Sequence, residues 1–212
     1  MYQFFSKRLL LGGGKNPYKP GTVLINVNSG GSGVVNLYKG VYYIRAQGAG
    51  GGGGRNSYYN GGGGGSGAGF EGYVRFYEDV LNITVTSGVG GGQQTAGTDS
   101  VIPYIMRLGG GNRGLENSIG TGGTLTFPGE TSGKCKVTKT IIRKNGYNGV
   151  IPPNSGSAVS GANSVLTNSG GGLAHANATA LGAGGGGGYA WNFSGGSGGG
   201  GEVLIRYEKL RG

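Results

Sequence analysis

Short runs of alternating apolar and polar residues recur along the chain and predict β-strands. The clearest run is LNITVT (81–86), whose alternation directs Leu81, Ile83 and Val85 toward a core. Similar patterns mark seven further segments: 22–27, 41–47, 71–77, 103–108, 124–127, 137–143 and 203–207. About eight short strands without a convincing helical pattern predict an all-β fold, an antiparallel jelly-roll-like sandwich.

Runs of glycine separate these strands, and glycine supplies 56 of the 212 residues. Such runs usually form flexible linkers. The alternative is a bundle of extended polyglycine-II helices with three residues per turn, whose backbone groups bond to neighbouring helices. We expect the bundle, anchored on the sandwich, because several helices together can offset the entropy lost on ordering glycine. The runs are 50–54, 61–65, 90–92, 109–111, 170–172, 184–188 and 198–201.

The chain carries 18 basic and 8 acidic residues, a formal charge of +10. This excess serves either solubility or contact with polyanions. A nucleic-acid-binding module with interleaved basic and aromatic residues is not recognisable, so we expect no nucleic-acid partner. The one dense cluster comprises Lys134, Lys136, Lys139, Arg143 and Lys144.

Residue types that support catalysis are scarce. Cys135 is the only cysteine and His175 the only histidine, so an intrachain disulfide is excluded. A metal site would have to draw on the eight carboxylates. We therefore expect a protein that is not an enzyme and that holds no cofactor or metal.

Neither a membrane span nor a signal peptide is predicted. No apolar stretch approaches the length that crosses a bilayer, so we expect no membrane insertion. The apolar run Leu9–Leu11 is too short for the hydrophobic region of a signal peptide. Release by cell lysis, as for a virus particle, fits these features better than secretion.

Residues 1–21 differ in composition from residues 22–212, and we divide the chain there into an N-terminal docking arm and a glycine-rich β-sandwich/polyglycine-II domain. The alternative is that the arm is a strand that completes the sandwich. Under the first hypothesis, apolar anchors and a basic rim attach the arm to a larger assembly: Phe4, Phe5, Leu9, Leu10 and Leu11, with Lys7 and Arg8.

The order of strands and glycine runs carries a resemblance over residues 22–207. The segments are KGVYYIRAQGAGGGGG (39–54), GGGGGSGAGFEGYVRF (61–76), LNITVTSGVGGG (81–92) and GAGGGGGYAWNFSGGSGGGGEVLIRY (182–207). This order resembles the glycine-rich domains of bacteriophage tail-fibre and related virion proteins. It is also similar to the glycine-rich domain of anaplastic lymphoma kinase-type receptors, in which a TNF-like β-sandwich carries polyglycine-II helices. Residues 93–169 depart from the pattern, with fewer glycine runs.

The resemblance implies that loops joining the glycine helices contact a host receptor. Two such loops are rich in aromatic residues, which pack on sugar faces and anchor interfaces. The alternative is that these rings cover the bundle or face a neighbouring subunit. The candidate contact residues are Tyr58, Tyr59, Asn60, Tyr189, Trp191 and Phe193.

These features together predict a non-enzymatic structural or adhesin protein of a phage virion, a tail or head fibre component that presents loops to the host surface. Its expected partners are other virion proteins, further copies of itself in a homo-oligomer for which we take a trimer, and a bacterial surface glycan or protein. The expected location is the phage particle, and otherwise the extracellular space. The alternatives are a self-assembling extracellular filament or cell-surface protein and, less favoured, an ice-binding protein.

Overall fold

The computed structural model describes residues 16–55, 61–115, 118–150, 159–174, 176–187 and 194–208. These residues form ten strands and one short helix. In chain order they are β1 (Val23–Asn28), β2 (Ser32–Leu37), β3 (Gly40–Gln47), β4 (Gly69–Phe76), β5 (Val80–Thr86), β6 (Ser100–Ile102), β7 (Met106–Leu108), β8 (Leu125–Thr126), α1 (Pro128–Thr131), β9 (Cys135–Lys144) and β10 (Glu202–Glu208).

The strands form two five-stranded antiparallel sheets. Sheet A has the order β1-β10-β3-β4-β9, and sheet B has the order β2-β5-β6-β7-β8. One apolar cluster combines the inner faces of both sheets. The predicted all-β antiparallel sandwich is therefore confirmed.

The alternation predicted for 41–47 is present in β3, where one face forms part of the core. Tyr42, Ile44 and Ala46 are fully buried. The Tyr42 hydroxyl donates to the carbonyl of Tyr38 at 2.8 Å and accepts from the amide of Asn16 at 2.9 Å. Burial of the ring raises the pKa of Tyr42 well above its ordinary value. These bonds let the sandwich bury a phenol without leaving its polar end unsatisfied.

The predicted inward position of Leu81 is wrong. Leu81 is 49% exposed, whereas Val80 is only 7% exposed and joins the core. The β2–β5 register shifts next to this point, where Leu37 pairs with Val80. Asn82 has a φ of +54°, which asparagine tolerates better than most residues. This β-bulge resets the alternation, so that the inward set resumes at Ile83.

The second sheet contains further differences from the prediction. The strand predicted at 103–108 begins only at Met106, because residues before it turn and the N–H of Ile105 donates to the carbonyl of Ile102 at 3.0 Å. Strands β2 and β6 were not predicted: β2 carries small and polar residues at its start, and β6 has only three residues.

The bulge predicts that neighbouring apolar residues of β5 differ in their contribution to stability. We expect Val85→Ala to lower the free energy of unfolding by about 2–3 kcal/mol, because it leaves a cavity in the core. Leu81→Ala should stay within about 0.5 kcal/mol, as surface substitutions usually do. Urea denaturation of both variants measures the difference, and equal losses would contradict the bulge.

Candidate functional site

Glycine-rich segments leave the sheets and hydrogen-bond to one another outside the sandwich. We call this assembly the glycine bundle. It comprises residues 48–54, 62–68, 90–94, 95–98, 109–115, 118–124, 146–150, 159–162, 170–173, 176–187 and 194–201. The segments include much of the 93–169 region, so this region contributes both to the sandwich and to the bundle.

The segment 48–54 lies at the centre of the bundle. Its N–H groups donate to three neighbouring segments in rotation, and the partner segment repeats at every third residue. Residues 48, 51 and 54 donate to segment 62–68, residues 49 and 52 to segment 95–98, and residues 50 and 53 to segment 194–201, with N···O distances of 2.8–3.1 Å. Its carbonyls accept from segments 90–94, 109–115 and 176–187. The central segment thus bonds to six neighbours, which satisfies all seven of its N–H groups and the carbonyls of residues 49–53.

Close approach of backbones makes glycine necessary in the centre. A Cβ atom on Gly50 would lie 1.8 Å from the carbonyl oxygen of Ala183, and one on Gly53 would lie 1.9 Å from that of Gly186. Gly92 is a contrast within the same bundle, because the nearest atom to its Cβ position is 3.6 Å away. None of the three has a left-handed φ, so the requirement at Gly50 and Gly53 is space.

The hydrogen-bond register of the paired strands continues into the paired segments of the bundle. Gln47 pairs with Gly69 at the end of the β3–β4 ladder. The same antiparallel register continues in the bonds from Gly48 to Ala68, Gly51 to Gly65 and Gly54 to Gly62. The β3–β10, β4–β9 and β7–β8 ladders continue into the bundle in the same way. Each pair of segments is therefore aligned by the strands from which it emerges.

This arrangement gives the bundle an end remote from the sandwich, which we call the far end. Gly54, Gly62, Leu115 and Ser118 lie there and are joined in sequence by hydrogen bonds of 2.8–2.9 Å. The chain leaves the bundle and returns to it at this end between residues 54 and 62.

The predicted contact and docking residues lie outside the described part of the chain. Tyr58, Tyr59 and Asn60 belong to the connection that begins and ends at the far end. Tyr189, Trp191 and Phe193 belong to the connection after Gly187, whose Cβ position lies 1.9 Å from the carbonyl of Gly61. The predicted docking residues all precede Asn16, the first described residue: Phe4, Phe5, Lys7, Arg8, Leu9, Leu10 and Leu11.

Two of the grooves lined by described residues lie on the sides of the bundle. The smaller one, of about 390 Å³, contains the ion pair of Asp99 with Arg107. Asp99 also accepts from the N–H of Gly110 at 2.8 Å. Asn112 donates to the hydroxyl of Thr121 at 2.6 Å. These polar groups are paired with one another, which leaves little that would select a ligand.

The larger groove encloses about 530 Å³. We call it the tyrosine–asparagine groove, after Tyr147, Asn148, Asn163 and Asn168 in its lining. The Oδ1 atom of Asn148 accepts from the N–H of Gly122 at 2.9 Å, and that of Asn163 accepts from the N–H of Gly171 at 3.1 Å. Sequence reasoning missed this groove, because only the fold brings together asparagines up to 20 residues apart.

The predicted basic cluster lies on and beside β9, an edge strand of sheet A. Lys134 pairs with Glu78 at 3.4 Å, and Arg143 pairs with Glu130 at 3.0 Å. No ion pair within the described residues neutralises the remaining three members of the cluster, Lys136, Lys139 and Lys144. The edge therefore keeps positive charge.

The outer face of sheet A carries a second set of polar contacts. The Tyr43 hydroxyl donates to Glu71 at 2.7 Å, and the Arg206 guanidinium lies 4.8 Å from the Tyr43 ring centroid. Burial and the Glu71 contact together raise the pKa of Tyr43 to about 12. Burial also raises the pKa of Glu202, which pairs with Arg45 at 3.2 Å. This part of the face is neutralised internally.

Groups with catalytic potential are few in the described part of the chain. Cys135 is buried, and its burial, with the nearby Glu130 carboxylate, raises the pKa of the thiol to about 11. Among the described residues, no three His, Cys, Asp or Glu side chains converge as metal ligands would. His175 lies outside these residues. Within the described ranges, no helix is long and apolar enough to cross a membrane.

No protein-family model matches this chain, and no curated protein sequence matches it significantly. The function is therefore inferred from the fold, the bundle and the surfaces described above.

The bundle geometry predicts opposite outcomes for two glycine substitutions. Gly50→Ala should lower the free energy of unfolding by at least about 3 kcal/mol, because its methyl group would overlap a backbone carbonyl. Gly92→Ala, its matched control, has room and should change stability by no more than about 1 kcal/mol. Thermal and urea unfolding of both variants tests this expectation. A fully stable Gly50→Ala protein would refute the close approach.

We expect the buried thiol of Cys135 to react slowly with thiol-labelling reagents. Because thiolate is the reactive form, and Cys135 is buried with a raised pKa, we expect labelling at pH 8 to be at least about 100-fold slower in the native protein than in denaturant. The chain has one cysteine, so the label reports on this site alone. Rapid native labelling would show that the thiol is accessible.

Proposed function

We propose that the chain is a non-enzymatic structural and adhesive protein of a bacteriophage particle, a tail or head fibre component that presents loops to the host surface. The observation that carries this proposal is that the two ends of the sandwich differ. The glycine bundle begins where β3 ends at Gln47 and closes in chain reversals at its far end. Asn16 and Tyr18, near the start of the described residues, contact the sandwich at its other end.

Contacts of Tyr18 lie at the end of the sandwich opposite the bundle. Its ring lies 5.6 Å from that of Tyr38 and 6.3 Å from that of Tyr207, measured between centroids. Its hydroxyl donates to the carbonyl of Asn36 at 3.1 Å. Tyr38 precedes β3, so this contact is at the opposite end from the bundle. An arm that docks through residues 1–21 would then hold the bundle outward.

The segments of the bundle are, in this proposal, polyglycine-II helices. The rotation of bonding partners every third residue is the period expected of a helix with three residues per turn. At 3.1 Å per residue, the six steps from Gly48 to Gly54 would span about 19 Å. Six bonded neighbours would make this projection stiff. Glycine φ and ψ values near −75° and +145°, obtained from NMR chemical shifts, would test the assignment.

The adhesive contacts are assigned to the connections at the far end. Tyr58, Tyr59, Asn60, Tyr189, Trp191 and Phe193 would contact a bacterial glycan or protein, or a neighbouring subunit. In a trimer, weak contacts from several copies would add through multivalency. The chemistry is binding without turnover.

A self-assembling extracellular filament is the second candidate. The observation that favours it is the edge position of β9, a ten-residue strand beside which the described residues place no further strand of sheet A. Strand addition at such an edge can link subunits. The lysines on β9 oppose it, because charged residues commonly protect edges from pairing.

Immunogold electron microscopy of lysates from the source culture tests the proposed function. We expect gold at fibre or tail tips. Gold along filaments or cell envelopes would overturn the viral assignment in favour of the filament. Gold confined to heads or shafts would keep the virion role and remove the adhesive one.

A binding experiment with recombinant protein and host cells tests the far-end contacts. Tyr58→Ala combined with Trp191→Ala should weaken cell binding at least about tenfold, since aromatic anchors dominate interfaces. Tyr104→Ala is the matched control, because this tyrosine is 65% exposed on a turn of the sandwich. Equal binding by the unmodified protein, the double variant and the Tyr104→Ala control would exclude the two loops as the contact surface.

A further inference from the structure

The cationic edge strand leads directly into the larger groove. Strand β9 ends at Lys144, and residues 146–150 continue as a segment of the bundle beside the groove. The Lys144 ammonium lies 6.0 Å from the Tyr147 ring centroid. Tyr147 is itself held in place, because its N–H donates to the Ser66 hydroxyl at 2.7 Å. The charge and the groove thus form one continuous surface.

The tyrosine–asparagine groove offers the groups that recognise sugars. Asn148 and Asn163 are each anchored through Oδ1 by a glycine N–H, and their Nδ2 groups have no partner among the described residues. An amide NH₂ donates two hydrogen bonds, which sugar hydroxyls can accept. The Tyr147 ring and the exposed Leu173 provide apolar surface for the C–H face of a sugar ring. A volume of about 530 Å³ lies in the range of ligand sites.

Three lysines of β9, Lys136, Lys139 and Lys144, have no ion pair within the described residues, whereas Arg143 on the same strand pairs with Glu130. Lys136 lies directly opposite Arg75 in the β4–β9 ladder, although like charges in this arrangement destabilise a sheet. The Nε atom of Arg75 is buried and has no hydrogen-bond partner among the described residues. Lys139 and Lys144 extend the same edge without an ion pair in the described ranges. A ligand with negative charges would relieve this repulsion.

We propose that the tyrosine–asparagine groove and β9 together bind an acidic polysaccharide, with sugar rings in the groove and acidic groups beside Lys136, Lys139 and Lys144. This inference deepens the proposed function and rests on it, since a protein displayed to a bacterial surface meets such polymers there. The site is lateral and does not involve the far-end connections.

Nucleic acid fits this surface less well. Binding of single strands requires aromatic rings with free faces on which bases stack. Tyr147 of the groove offers one such ring, whereas binding of successive bases needs several. On the outer face of sheet A, Tyr43 and Tyr73 contact each other edge-on, with centroids 5.6 Å apart. Arg206 lies 4.8 Å from the Tyr43 ring centroid, and Lys139 lies 5.9 Å from that of Tyr73. Cations thus lie against both rings.

Titration of the full chain with four polymers separates the ligand classes. The polymers are polygalacturonic acid, neutral dextran of similar length, polyglutamate and single-stranded oligo-dT. We expect polygalacturonic acid to bind at least about tenfold more tightly than each of the others at low salt, and more weakly at high salt. Equal binding of polyglutamate or oligo-dT would reveal a general polyanion surface and overturn the proposal, as would binding of none.

Two variants locate the site. Lys136→Gln with Lys144→Gln should weaken polygalacturonate binding about tenfold, and Tyr147→Ala should weaken it at high salt as well, where the charge contribution is screened. Lys19→Gln is the matched control, because this exposed lysine precedes β1 at the opposite edge of sheet A. Melting curves confirm folding, and the double lysine variant keeps the test decisive if Tyr147→Ala is unstable. An unchanged affinity in the double variant would refute the site.

The result of the polysaccharide experiment is independent of the result of the immunogold experiment that tests the proposed function. Binding to purified polysaccharide does not depend on where the protein lies in a particle. Virion labelling without polysaccharide binding would reject the lateral site alone. Polysaccharide binding with gold on cellular filaments would reject the viral role and keep the site.

Discussion

Close contact between glycine backbones is the constraint on which this molecule depends. The central segment 48–54 bonds to six neighbours, and a side chain at Gly50 or Gly53 would overlap a carbonyl group. Ordering glycine costs more backbone entropy than ordering any other residue. No single segment could offset that cost, because the hydrogen bonds of the central segment run to neighbouring segments and not within it. The segments must therefore form together, on a scaffold that already fixes their entry points.

The sandwich supplies those entry points through its register. The β3–β4 and β3–β10 ladders run without a shift from paired strands into paired glycine segments. The core that holds β3 in place, with Tyr42 and Ile44 fully buried, therefore also aligns the bundle. A slip of one residue in either ladder would move both the inward side chains and the glycine contacts. The register of the sheet therefore also determines how the segments of the bundle pack.

The alternation of apolar and polar residues was sufficient to predict strands that contain no bulge. The alternation in 41–47 and 71–77 predicted strands β3 and β4, which pair with each other without an internal bulge. Leu81 was placed inward because nothing in LNITVT signals the bulge at Asn82. The basic cluster was evident from its position in the sequence, but its pairing with Glu78 and Glu130 required the tertiary fold. The asparagines of the larger groove meet only because the bundle places separate segments side by side.

A stiff bundle has a physical consequence for adhesion in the proposed role. The far end of the bundle and a lateral site on β9 would be held at a fixed separation, since the same bonded segments connect them. When one contact forms, the other faces the surface at high effective concentration without further ordering cost. Electrostatic attraction along β9 acts over roughly a Debye length, about 10 Å, and so would precede short-range contact. In the proposed role, attraction by charge followed by contact through the far-end residues is thus the order of events that this architecture favours.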